Sequence, residues 1–191
     1  MENILLASMM VCNKPVYLNG RYIISAYDGV WDAVEELPDD IKSYFTSDIG
    51  DKVTGYGGFL QVINPQVLDI LNERGLFTCF RGVEEKYLEF TNTVPPEKLY
   101  DRLFSQLRFV GWDICIGNGW RSASTDGYFP IDPFTGVAKD KNINQINRYG
   151  LFENLENCLN YCKLNNEKVP MDSPWYPVAV YLDQNSYNQL I

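Results

Sequence analysis

The reactive side chains of this 191-residue sequence are 25 carboxylates, 16 lysines and arginines, five cysteines and 13 tyrosines, and histidine is missing altogether. Histidine is the commonest general base near neutral pH, so its absence removes the Ser-His and Cys-His nucleophilic pairs and every histidine metal site. The cysteines, Cys12, Cys79, Cys115, Cys158 and Cys162, are odd in number and lie among apolar neighbours, as in Phe77-Thr78-Cys79-Phe80. That context predicts buried free thiols. Cys158 and Cys162 are four apart on a predicted helix and share a face, but two thiolates without further ligands do not make a zinc site. No metal or other cofactor is expected.

Two glycine clusters, Gly55-Tyr56-Gly57-Gly58 and Gly117-Asn118-Gly119, match neither phosphate-binding pattern and read as tight turns. Asp140, Asn142 and Asn144 imitate the start of a calcium loop, but Gln145 stands where glycine is required and Leu151 where the bidentate glutamate belongs. Carboxylates near aromatic residues, Asp113, Asp126, Asp132 and Glu153, leave open a histidine-independent enzyme acting on a sugar or another polar ligand. Asp113 beside Trp112 equally suits a cross-strand ion pair with Arg121 beside Trp120. The expectation is that the protein is not an enzyme.

Charge is the more specific signal. Residues 28–51 hold eight acids, Asp28, Asp32, Glu35, Glu36, Asp39, Asp40, Asp48 and Asp51, against the single base Lys42, a net charge of -7 out of -9 for the chain. The other 15 bases and 17 acids nearly cancel. On a helical wheel of about 100° per residue the first six acids fall within roughly 140°, opposite Val30, Val34, Leu37 and Ile41. Their axial density, one per ~3 Å at ~1.5 Å rise per residue, is close to the ~3.4 Å phosphate spacing of a DNA strand. Acids at an N-terminus are favoured by the helix dipole, but the like-charge pairs Asp28 and Asp32, Asp32 and Glu36, and Glu36 and Asp40 destabilise a helix. A basic partner would relieve that repulsion. These acids, with Trp31 at the border of the two faces as an aromatic anchor, form the predicted partner-binding surface. The negative balance disfavours direct nucleic-acid binding and favours a basic protein.

The elements that must position these residues follow from periodicity. Residues 4–11 read as a buried strand, and Asn19-Gly20 marks a two-residue hairpin turn. Residues 28–46 have helical spacing, with Pro38 as a kink. Asn64-Pro65 and Gly75 bracket a helix over 66–74. Strands are predicted at 76–81, 86–91, 108–116 and 120–129, a helix after Pro95-Pro96, and a polar loop over 130–147. A further helix carries the stripe Leu151, Leu155, Cys158, Leu159 and Cys162, followed by a strand at 178–182 and a polar tail.

A hydrophobic content of 46% supplies a core, and no apolar run reaches the ~20 residues of a membrane span. The reading is a single α+β domain over 1–191, mainly an antiparallel sheet with about four helices packed on it. The start of the sequence has neither a basic n-region nor a small-residue cleavage site, and no N-x-Ser/Thr sequon occurs, so with reduced thiols a cytoplasmic location is expected.

A small acidic α+β chain of this kind resembles the immunity proteins of bacterial polymorphic-toxin and contact-dependent inhibition systems. The similarity lies in the second half, in Gly111-Trp112-Asp113-Ile114-Cys115-Ile116-Gly117-Asn118-Gly119-Trp120, in Tyr149-Gly150-Leu151-Phe152-Glu153-Asn154-Leu155 and in Ser173-Pro174-Trp175-Tyr176-Pro177-Val178-Ala179-Val180-Tyr181. The resemblance implies a one-to-one, high-affinity complex with a toxin domain, often a basic nuclease, blocked by occlusion of its active site. An acidic DNA mimic that regulates a DNA-binding protein is the related alternative.

Overall fold

A computed structural model describes residues 4–12, 17–22, 24, 69, 72–75, 77–91, 106–117 and 144–191. Six strands lie among them: β1 (Ile4–Cys12), β2 (Tyr17–Leu18), β3 (Arg21–Tyr22), β4 (Phe77–Glu84), β5 (Leu107–Ile116) and β6 (Trp175–Asp183). The helices with full bounds are α1 (Leu155–Lys168) and α2 (Gln184–Asn188). Four strands form one antiparallel sheet in the order β1-β4-β6-β5, and β2 and β3 form a separate hairpin. The α+β class and the antiparallel sheet agree with the sequence reading. The described helices number about three, counting the helical residues Asp69, Asn72 and Glu73, rather than four. No helix among the described residues is long and apolar enough to cross a membrane.

The central strand explains the sheet. All nine residues of β6 are buried, and from Trp175 to Leu182 its sequence runs as an apolar block instead of alternating, ending at the buried Asp183. The strand begins at Trp175, three residues before the predicted start, and includes Pro177. Proline is tolerated there because β4 pairs with β6 only from Ala179 to Leu182; the missing N–H of Pro177 falls beyond that ladder.

Three further expectations are corrected. Residues 85–91 form a 3₁₀ helix, not a strand, since its Tyr87, Leu88 and Phe90 pack back on Val83, Cys115, Tyr176 and Val178 at the end of the sheet. Leu151 precedes α1 and enters the core from an irregular turn, because Asn154 caps the helix by accepting the Asn157 N–H at 2.9 Å. The polar tail contains α2, capped by Asp183, and its Leu190 is buried beside Phe77 and Leu182.

The hairpin turn follows the sequence signal, with Asn19 at φ 47° and Gly20 at φ 81°, the two positive values that a type I′ turn demands. Gly75 at φ 69° ends the 69–75 stretch, its N–H donating to the Asn72 carbonyl at 3.0 Å.

Candidate functional site

The predicted partner surface, Asp28, Trp31, Asp32, Glu35, Glu36, Asp39, Asp40, Asp48 and Asp51, lies outside the described residues, as do Arg121, Asp126 and Asp132. Glu153 is exposed. The described thiols Cys79, Cys115, Cys158 and Cys162 are free and buried, and Cys158 and Cys162 share the inner face of α1. Burial pushes the Cys79 thiol up to about 12 and raises Cys115 and Cys158 as well, so these sulfurs are neutral packing groups at physiological pH. Among the described residues no group of three or more His, Cys, Asp or Glu side chains converges on a metal position.

Asp113 finds its ion pair in the core. Its carboxylate meets Arg81 at 2.8 Å with both side chains at 0% exposure, and the Arg81 guanidinium also donates to the Cys115 sulfur at 3.5 Å. The sheet order places Arg81 on β4 and Asp113 on β5, with β6 between them, about 9.5 Å apart at the usual ~4.8 Å strand spacing. An arginine spans that gap. Both Arg81 and Gly111 are opposite Val180 in the register, so the position facing Arg81 across β6 carries no side chain. Burial disfavours the Arg81 charge, but Asp113 beside it leaves the guanidinium pKa raised. The pair is enclosed, and its work is structural.

A second polar cluster joins β4 to the carboxyl-terminal helix. Asp183 caps α2 by accepting the Asn185 and Ser186 N–H groups, and its other oxygen receives the Ser186 hydroxyl at 2.7 Å and the Thr78 hydroxyl. The Thr78 N–H in turn donates to Ser186 Oγ at 2.8 Å. This network fixes α2 against the sheet and so sets the position of Tyr187.

Tyr187 belongs to a surface strip that the linear sequence does not announce. Its foundation is Asn147, whose Nδ2 donates to the Val110 carbonyl at the β5 bulge at 2.7 Å while its Oδ1 accepts the Tyr149 N–H at 2.9 Å. The turn so held receives the hairpin, since Tyr22 N–H donates to the Arg148 carbonyl at 2.8 Å and Ile24 N–H to that of Tyr149 at 3.4 Å. Side chains then interleave. Tyr17 packs on Tyr22 at 4.8 Å between ring centres; the Arg148 guanidinium lies 6.0 Å from Tyr22 and 5.3 Å from Tyr149; Tyr149 and Tyr187 are 6.4 Å apart; and Arg108 sits 4.5 Å over Tyr187. Such cation–ring contacts are worth about 0.5–1 kcal/mol each at exposed sites. The Tyr149 hydroxyl and the Arg108 guanidinium against the Tyr187 phenol lower its pKa, whereas burial and Tyr187 raise that of Tyr149.

Beside the strip runs an open groove of about 510 Å³ whose walls carry the carboxylates of Asp69 and Asp183, the Arg108 guanidinium and the amides of Asn72, Gln106, Gln184 and Asn185. Gln184 accepts from Arg108 Nε at 3.0 Å, so strip and groove meet. Sequence reasoning missed Tyr22, Arg108, Arg148, Tyr149 and Tyr187 because four separate segments supply them; the signals within reach were the Asn-Gly turn and the tyrosine content. No protein-family model, curated protein or solved structure matches the chain.

Proposed function

We propose that this protein is an immunity-type inhibitor that binds and neutralises a cognate toxin domain, a basic nuclease, through the acidic surface of residues 28–51. The observation that carries this reading is the concentration of -7 of the chain's -9 charge in that one segment, on an otherwise nearly neutral body. The enclosed Arg81–Asp113 pair and the buried thiols support it from the other side, because the charged and sulfur groups of the described core serve packing. Charge of this density accelerates encounter with a basic protein, and an aromatic anchor such as Trp31, once desolvated by the partner, slows dissociation.

The test reverses Asp32, Glu36, Asp39 and Asp40 to lysine together and measures affinity for the basic partner recovered from the native host. A loss of on the order of a hundredfold at low salt, shrinking as salt rises, is expected from charge complementarity across an interface. Undiminished binding with unchanged salt dependence overturns the acidic-face mechanism. The axial spacing that a helix over residues 28–46 would give the carboxylates favours one second reading, a DNA mimic occupying a basic groove. Competition by duplex DNA for the same partner supports that reading, and simultaneous binding of DNA and this protein excludes it.

A further inference from the structure

Arg108 and Arg148 are both exposed. Among the described residues neither has a carboxylate partner, in a chain with nine more negative than positive charges. Each guanidinium is held instead by a tyrosine face and by one bond to an oxygen, Gln184 Oε1 for Arg108 and the Leu190 carbonyl for Arg148. A guanidinium seated on a ring keeps N–H groups for an outside acceptor, and seating it beforehand lowers the side-chain entropy lost on binding. Both cations act on both phenols, Tyr149 and Tyr187, so the two positive charges share one surface, and among the described residues no salt bridge neutralises either of them. An acceptor that brings negative charge relieves their repulsion.

The dimensions select the class of ligand. Contacts of 4.5 to 6.4 Å link Tyr17, Tyr22, Arg148, Tyr149, Tyr187 and Arg108 in succession, so the surface presents four rings and two cations, more groups than one phosphate or one carboxylate engages. The adjoining groove offers the side-chain amides of Asn72, Gln106, Gln184 and Asn185, which donate and accept as a peptide backbone requires, and the carboxylates of Asp69 and Asp183, which accept backbone N–H groups and keep acidic side chains of a ligand toward the arginines. Asn72 Oδ1 is buried there without a donor among the described residues. Nucleic-acid affinity rests on many phosphate contacts, and two cations on an acidic chain do not supply them. Tyrosine and arginine are also the side chains enriched at the anchors of protein interfaces. We propose that this surface docks an extended polypeptide segment of a protein partner, with acidic side chains of that segment on Arg108 and Arg148 and its backbone along the adjoining polar groove. The proposal adds a surface of opposite sign to residues 28–51 and is independent of the inhibitor reading.

The experiment is an NMR titration of the isotope-labelled full chain at low salt. Four probes are compared: a blocked peptide alternating glutamate with apolar residues, its lysine counterpart, inorganic phosphate, and a short DNA duplex. The expected result is a saturable shift with the glutamate peptide only, centred on Tyr22, Arg108, Arg148, Tyr149 and Tyr187. In Arg108→Gln/Arg148→Gln the affinity should fall roughly tenfold or more, the scale of losing charge-assisted hydrogen bonds. Unchanged resonances at Val180 and Leu182 report an intact core; if that variant does not fold, the Arg108→Lys/Arg148→Lys pair replaces it, with a smaller loss expected because the planar fork is gone. No saturable shift with the glutamate peptide, equal binding of the lysine peptide, phosphate or duplex, or undiminished binding by both variants overturns the proposal.

Discussion

Arg81 and Arg108 are the same side chain on neighbouring parts of one sheet, yet their surroundings have little in common. Arg81 is fully enclosed, pairs with Asp113 at 2.8 Å and has a thiol beside it. Arg108 lies in solvent on the face of Tyr187 and borrows an amide oxygen from Gln184. The difference teaches how dielectric decides what a cation needs. In the interior an unpaired guanidinium is prohibitively costly, so a carboxylate is mandatory. At the surface water already solvates the charge, and a ring and a neutral oxygen are enough to orient it. One arginine is thereby committed to the fold, and the other is left with donors for a partner.

The contrast can be broken most violently from the inside. Asp113→Ala strands the Arg81 charge and should cost about 3–5 kcal/mol in urea denaturation, while Arg81→Met with Asp113→Leu, removing both charges together, should cost far less or stabilise. An equal loss in the single and double variants would show that the pair is not the enclosed unit its geometry indicates. Next in size is Gly111→Ala. A Cβ there would meet Leu151 Cβ at 2.7 Å and Asn147 Nδ2 at 2.8 Å, at a φ of 149°, so a loss of about 2–3 kcal/mol is expected by thermal or chemical unfolding. Because Asn147 also seats Tyr149, this variant should disturb the strip as well as the core.

Alkali sharpens the same comparison. Burial holds the Cys79 thiol and the Tyr181 phenol up to about 12, from ordinary values of 9.0 and 10.0. Below pH 9 both groups are neutral whether the chain is folded or not, and their contribution is fully present. Between pH 9 and 12 only the unfolded chain ionises them, so stability should fall as pH rises through that window. Urea midpoints that stay constant from pH 9 to 11 would contradict the burial of these groups. The smallest effect belongs to the surface. Arg108→Gln should change stability by no more than about 1 kcal/mol. Ultraviolet titration should nevertheless show the phenol of Tyr187 ionising later than in the parent, since the Tyr149 hydroxyl and Arg108 together lower its pKa. A titration curve identical to the parent's would place Arg108 away from that phenol.

The sheet was largely legible in the residues themselves. The strands at 4–12 and 107–116 lie within one residue of their predicted ends, and the Asn-Gly turn falls where its positive φ values require. Those features depend on local backbone preference and on whether side chains are apolar. The element at 85–91 was misread because its closely spaced Tyr87, Leu88 and Phe90 suit a 3₁₀ turn folded onto Tyr176 as well as they suit a strand, and only contact with that ring decides. Arg81 was passed over for the same reason: a partner for Asp113 was sought on the next predicted strand, at Arg121, while the sheet order brings Asp113 within reach of Arg81 on β4 across β6.

What the sequence by itself determined is the charge asymmetry and the missing histidine, since composition is additive and independent of folding. Tertiary structure alone decided which arginine is enclosed and which are presented. The Tyr22–Arg148–Tyr149–Tyr187–Arg108 strip draws on a hairpin, a turn, a terminal helix and a strand that are far apart along the chain. Nothing local encodes that meeting. It exists because sheet register and the Asn147 and Asp183 hydrogen bonds fix those four segments against one another.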